Sequence, residues 1–327
     1  MAGGIPAARQ ILSPSAHRPN LRVTVHNRDD SAATGLLAGI AAFLFWGLAP
    51  LYFKLLEGIP STEILAHRSI WALVLALIIL VLIGKLGDFR ATLRDHRKMR
   101  TLALSALLIG SNWLVFIWAI TNQHLLDASL GYYVNPLISV LLGVLVLGER
   151  LRRLQWVAVG LAAVGIGWYL LQFGRLPLVG LFLALTFGFY GLVRKRAPVD
   201  SLTGLAVETL FMLPLALAYL VWSTSPSSNP LNNSWQLNGL LLLAGPITLT
   251  PLLLFNIAAR RLNLSTVGFL QYIAPTLQLL VAVMLFHEPF DHDTLMTFTF
   301  VWLGLLLYSV DALAQRRKLQ LQQKAVV

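Results

Sequence analysis

Residues 136–149 read PLISVLLGVLVLGE, and residues 275–288 read PTLQLLVAVMLFHE. Each stretch runs from a proline to a glutamate thirteen positions later, and no charge falls between them. A tyrosine stands three residues before each proline, at Tyr133 and Tyr272. The offset between the copies is 139 residues, and at the same offset Gly165 matches Gly304. A second pair, FWGL at 45–48 and FYGL at 189–192, lies at a similar offset. Single short matches arise by chance among Leu-rich helices. Several matches at a near-constant offset favour an internal repeat.

A helix needs about 20 apolar residues to cross a bilayer. Stretches without Asp, Glu, Lys or Arg divide the chain into ten such spans, near 34–55, 63–83, 101–120, 125–147, 154–173, 177–194, 201–222, 236–259, 264–286 and 294–313. The long uncharged run 209–259 splits at STSPSSNPLNNSW, a Pro/Ser/Asn loop. Five spans separate the members of each repeated pair. Five is odd, so the second half enters the membrane from the opposite side to the first. Inverted halves let one scaffold present two mirror-related states.

Composition agrees with this reading. Hydrophobic residues make up 57% of the 327 and charged residues 12%, against about 25% charged in a soluble domain. That apolar content excludes disorder for the bulk of the chain. Zero cysteines exclude a disulfide scaffold, thiol nucleophiles and iron–sulfur clusters. The net charge of +11 would suit a nucleic-acid partner, but its distribution argues otherwise. With the loops numbered alternately, 22 of the 25 Lys and Arg fall on one side, Arg175 alone falls on the other, and Lys54 and Arg68 lie within or at the ends of spans. This is a positive-inside pattern. It predicts cytoplasmic termini and contact with anionic lipid rather than nucleic acid. Residues 1–32, with Pro6, Pro14 and Pro19, read as a disordered cytoplasmic tail, and 315–327 as a basic cytoplasmic tail.

The stretches FWGLAPLYFK, EILAHR, GSNWLVFIWA, ASLGYYVNPL, LGERLRRLQW, FYGLVRK and LSTVGFLQYIAPTL resemble the RarD type of EamA-domain permease, in the drug/metabolite transporter superfamily. The resemblance covers about 33 to 318. It implies an all-α polytopic membrane protein of ten transmembrane helices, arranged as two inverted five-helix EamA repeats over 33–174 and 175–314. It also implies an inner-membrane location and a carrier function. Members bear the names chloramphenicol-sensitive or chloramphenicol-resistance permease. The long N-terminal tail departs from the family pattern.

A charge at the bilayer centre costs about 2.5–3.5 kcal/mol on insertion scales, so ionisable groups inside spans mark places of work. Glu208 lies about eight residues into the seventh span, roughly 12 Å from its end. His67 and Arg68 lie in the outer third of the second span, at the corresponding place in the other half. They read as one ionisable station per vestibule. The alternatives are a snorkelling arginine and a structural hydrogen-bond partner. Asn112, Trp113, Tyr132, Tyr133 and Asn135 come from spans three and four, Asn256 from span eight, and Gln271 and Tyr272 from span nine. Several sit beside Pro136, Pro251 or Pro275, and Pro-interrupted helices in matching positions point to a binding site between halves. Aromatics with amides suit a small amphipathic solute. The alternative is that these polar groups only join helices, worth about 0.6 kcal/mol each. Asp127 and Lys54 read as helix-end charges.

HEPFDHD at 287–293 lacks the second His of a zincin at position 291 and reads as an external loop, so no metal and no cofactor are expected. No phosphate-binding Gly-rich loop occurs, which leaves an ion gradient as the energy source, with the proton as the expected ion. The leading function is secondary transport of a small organic solute, without catalysis. The alternatives are a membrane-embedded enzyme of lipid chemistry, which would need carboxylates or His clustered at one face, and a non-transporting scaffold.

Overall fold

The computed structural model describes residues 21–121, 125–173, 178–285 and 292–325. Twelve α-helices and one short 3₁₀ turn, with no strand, make up the described residues. In chain order the helices are α1 (Leu21–Lys54), α2 (Ser61–Leu82), α3 (Leu86–Arg94), α4 (His96–Thr121), α5 (Leu125–Leu147), α6 (Arg153–Phe173), α7 (Leu178–Arg196), α8 (Ser201–Trp222), α9 (Trp235–Arg261), α10 (Leu264–Gln271), α11 (Ile273–Leu285) and α12 (His292–Ala325). Nine segments among the described residues are long and apolar enough to cross a membrane, and Gly131–Leu147 in α5 is a shorter apolar helix. Outward-facing Leu82, Leu171, Leu215 and Val221 are more than three-quarters exposed. So much exposed apolar surface requires lipid as solvent. The chain is a multi-pass membrane protein.

Three features differ from the sequence expectation. Helix α1 begins at Leu21, inside the stretch read as a tail, and α12 runs on to Ala325. The charged loop 85–100 contains α3, whose Phe89 is buried while its Arg and Asp side chains are largely exposed. The third concerns proline. Helices α5 and α9 pass unbroken through Pro136, Pro246 and Pro251. The break falls in the ninth span, at Tyr272 between α10 and α11, three residues before Pro275. A proline removes one donor and crowds one turn. Neighbouring helices can absorb that locally, so a proline in a bundle need not end a helix.

The main helix contacts obey an exchange of the two halves. Swapping the first five spans with the second five maps α1–α9 onto α7–α4, and α2–α9 onto α8–α4. It maps α5–α7 onto the contacts of α10 and α11 with α1. The pairs α2–α8, α5–α10 and α6–α12 map onto themselves. The repeated glycines mark one self-mapping pair. A methyl group on Gly165 would meet the Thr297 carbonyl of α12 at 2.9 Å, and one on Gly304 would meet the Ala158 carbonyl of α6 at 2.8 Å. Small residues at such crossings let backbones approach. Helices α6 and α12 thus pack on each other at the edge of the bundle, while α1, α2, α4, α7, α8 and α9 surround its middle.

Candidate functional site

Two buried polar clusters lie on α8 and α2, the pseudo-equivalent helices. The first surrounds Glu208. Asp200 caps α8, its carboxylate accepting from the Thr203 N–H at 3.1 Å. Partial burial works against the Asp200 charge, but the Thr203 hydrogen bonds prevail and hold its carboxyl below the usual range. Two turns further along, Glu208 is 1% exposed. Ser105 Oγ of α4 donates to its Oε1 at 2.5 Å, and Tyr190 OH of α7 to its Oε2 at 3.3 Å. Arg194 of α7 places Nε 3.4 Å from Oε1 and donates through Nη2 to the Ser201 carbonyl at 3.1 Å. Asn256 of α9 donates to Tyr190 OH at 3.0 Å. Arg194, Tyr190, Ser105 and Asn256 are each fully buried. The guanidinium lies against Gly204, where any Cβ would overlap it. A buried ion pair of this kind is sustained only if further hydrogen bonds occupy its remaining lone pairs. Ser105 and Tyr190 do that for Glu208. Arg194 was counted from sequence among the loop charges of RKR; it turns inward instead. No spacing rule signals that, because its partner lies on the next helix.

The second cluster surrounds Arg68. Its Nε donates to Thr248 Oγ1 of α9 at 2.9 Å, and its guanidinium carbon lies 4.7 Å from the Trp113 ring centroid and 5.8 Å from that of Phe53. These are cation–π distances. Tyr132 forms an edge contact with Phe116, with centroids 5.8 Å apart. His67, one residue earlier, is 5% exposed and accepts at Nδ1 from Trp71 Nε1 at 3.3 Å. Among the described residues Arg68 forms no ion pair. The structure thus keeps Arg68 and Glu208 in separate clusters and pairs Glu208 with Arg194.

The other candidates are distributed differently. Asn112 donates to the Leu183 carbonyl at 2.8 Å and to Thr186 Oγ1 at 2.9 Å, fastening α4 to α7. Gln271 donates to Ser139 Oγ at 2.9 Å, fastening α10 to α5. Tyr133 turns toward α6 and α12, against Tyr169 and Phe298, with centroids 5.7 and 5.4 Å away. Asn135 Oδ1 and Tyr272 OH are buried without a hydrogen-bond partner. Tyr133 and Tyr272 join the apolar cluster of α6 and α12 rather than either ionic cluster.

Glu149, a repeat marker in the sequence, has a definite task. Its carboxylate accepts from Leu264 N at 2.6 Å, Ser265 N at 2.9 Å and Ser265 Oγ at 2.7 Å, and so caps α10 from the end of α5. Its repeat partner Glu288, and residues 287–291 of HEPFDHD, lie outside the described residues.

An all-helical bundle with exchange-symmetric helix contacts and a buried polar cluster on each of the pseudo-equivalent helices α2 and α8 suits a membrane transporter. The EamA-like transporter family model matches residues 33–171 and again 176–310, and the chain belongs to that family. An uncharacterized transporter of Vibrio cholerae is 51% identical over 86% of this chain and 94% of its own. Protein RarD of Salmonella typhimurium is 48% identical over 87% and 97%. A solved structure 18% identical superposes with a TM-score of 0.66, over 87% of this chain and 98% of that one, and shares the fold.

Proposed function

We propose that this transporter is a secondary carrier of a small organic solute. It works by alternating access in the cytoplasmic membrane, with both termini inside and repeats spanning 33–174 and 175–314. The observation that carries this reading is the pair of buried polar clusters, around Arg68 on α2 and around the Glu208–Arg194 ion pair on α8, at equivalent places in the two repeats. Arg68 with Trp113, Phe53 and Tyr132 offers a cationic, aromatic surface to a solute entering from one side. The Glu208–Arg194 pair, bound to Ser105 and Asn256 through Tyr190, closes the other side. A proton delivered to Glu208 cancels the charge that holds Arg194, which couples opening of that side to the proton gradient. Asn112 and Gln271 fasten helices along the pathway, and membrane lipid surrounds the whole.

The test is reconstitution in liposomes with an imposed pH gradient and a panel of neutral, cationic and anionic solutes. Solute accumulation that follows the gradient supports the reading. A chain that binds panel members yet never exchanges them across the bilayer would refute it.

A further inference from the structure

The two clusters differ in how their charge is balanced. On α8 the anion Glu208 and the cation Arg194 compensate each other. On α2 the cation stands without an acid: among the described residues nothing anionic bonds to Arg68. Glu63, five positions earlier on the same helix, is 0% exposed, and neither of its carboxyl oxygens has a hydrogen-bond partner. From α1, Tyr52 donates to the Leu240 carbonyl at 3.0 Å instead. Helix α4 carries no ionisable residue after Arg100, and α9 none before Arg260. Arg68 is the eighth residue of α2, about 10 Å from the start of that helix. A charge at such a depth is costly and marks a place of work.

The way Arg68 is held decides which of its donors are free. A guanidinium carries five N–H groups in one plane. Thr248 of α9 accepts the Nε–H at 2.9 Å. The guanidinium carbon lies over the Trp113 ring of α4 at 4.7 Å and over the Phe53 ring of α1 at 5.8 Å from their centroids. Such contacts engage the faces of the plane. The edge formed by Nη1 and Nη2 remains, with no acceptor among the described residues. Unlike Nε and Nη1 of Arg194, it is not sealed from solvent, and Arg68 as a whole is only partly buried. Two parallel N–H bonds from that edge match the two oxygens of a carboxylate. A phosphate group presents three acceptor oxygens, more than one such edge can serve. The ring of Tyr132, 41% exposed and near enough to feel the Arg68 charge, adds apolar surface beside the cation.

We propose that Arg68 is a carboxylate-binding residue and that the solute is an organic carboxylate with an apolar or aromatic body. The carboxylate of the solute supplies to the α2 cluster the negative charge that Glu208 supplies to the α8 cluster. This deepens the carrier reading and takes its purpose from it, but binding is measured without transport.

The experiment is calorimetric titration of the purified full chain in detergent with 3-phenylpropionate, its amide 3-phenylpropanamide, 3-phenylpropylamine and acetate. The wild type should bind 3-phenylpropionate about tenfold to a hundredfold more tightly than the amide, as a hydrogen bond between charged groups implies. It should bind acetate, which has the charge without the body, more weakly. Arg68→Gln should erase the preference for carboxylate over amide. Arg68→Lys keeps the charge without the fork and should retain only part of it. An amide or amine that binds as tightly as the carboxylate overturns the proposal, and so does a wild type with no saturable carboxylate binding. An undiminished preference in Arg68→Gln is equally fatal. Should that variant fail to fold, an undiminished preference in Arg68→Lys decides against the fork. Displacement of 3-phenylpropionate by equimolar inorganic phosphate or by phosphatidylglycerol would make the place a phosphate or lipid-headgroup site instead. Solute exchange in vesicles reports separately on the carrier reading: carboxylate binding without exchange leaves this site standing and counts against the carrier.

Discussion

Arg194 and Glu208 are each other's only charge compensation among the described residues, which makes single substitutions informative. Breaking a buried pair by removing one partner costs about 3–5 kcal/mol, whereas replacing both by apolar residues of similar size is often neutral. Arg194→Met should therefore lower the unfolding midpoint in detergent sharply, and Arg194→Met with Glu208→Met should recover most of the loss. A double variant no better than the single would mean that the two do not form a pair. Glu208→Gln keeps the shape and one of the two accepted bonds, since its single carbonyl oxygen can accept from Ser105 while its amide nitrogen cannot accept from Tyr190, and it cannot exchange a proton charge. It should abolish pH-driven transport while leaving counterflow exchange, measured side by side in proteoliposomes. Gly204 could be judged only from the structure: the guanidinium occupies the space of its missing Cβ, so Gly204→Ala should displace Arg194 and mimic its loss. Glu208 was legible in sequence because a lone carboxylate deep in an apolar span has few innocent readings. Arg194 and Glu63 were not, because both sit near helix ends, where charge normally meets water. Their burial comes from neighbours distant in the chain.

Among the elements, the spans themselves were legible, since each is set by a run of apolar residues bounded by charge. What sequence missed was irregularity. It expected matched interruptions at Pro136 and Pro275, and only the second breaks its helix. A proline states that one donor is absent; whether the helix continues depends on what packs around it, such as Gly268 of α10 against the Pro136 carbonyl. Glu149 likewise acts between elements. Removing a helix cap costs about 0.5–2 kcal/mol, so Glu149→Ala should destabilise the chain by that order and loosen α10. Hydrogen exchange confined to the first turn of α10 is the appropriate readout, and unchanged protection there would contradict the cap. At the α6–α12 crossing, Gly304→Val should cost about 1–3 kcal/mol by overpacking against the Ala158 carbonyl. Because that pair sits at the edge, the loss should appear in thermal stability more than in transport rate.

For the whole molecule, the duplicated PLISVLLGVLVLGE pattern and the one-sided basic loops predict inverted halves with both termini cytoplasmic. Reporter fusions after Val327 and within 223–234 should report inside and outside respectively, and an external C-terminus would sink the orientation. Arg194 and Glu208 stand fourteen residues apart on consecutive helices, joined by the short turn at 197–200. Helices α7 and α8 pack more on α4 and α9 than on each other, so they are joined chiefly by Arg194 and Tyr190 of α7 meeting Glu208 and the Ser201 carbonyl of α8. During synthesis the two charges leave the ribosome within about one to three seconds of each other, at about 5–20 residues per second. Alone, a charge opposes membrane insertion, by up to about 2.5–3.5 kcal/mol at the centre of a span and by less toward its ends. Together they can enter the translocon as one neutral hairpin, before α9 has been made to cover them.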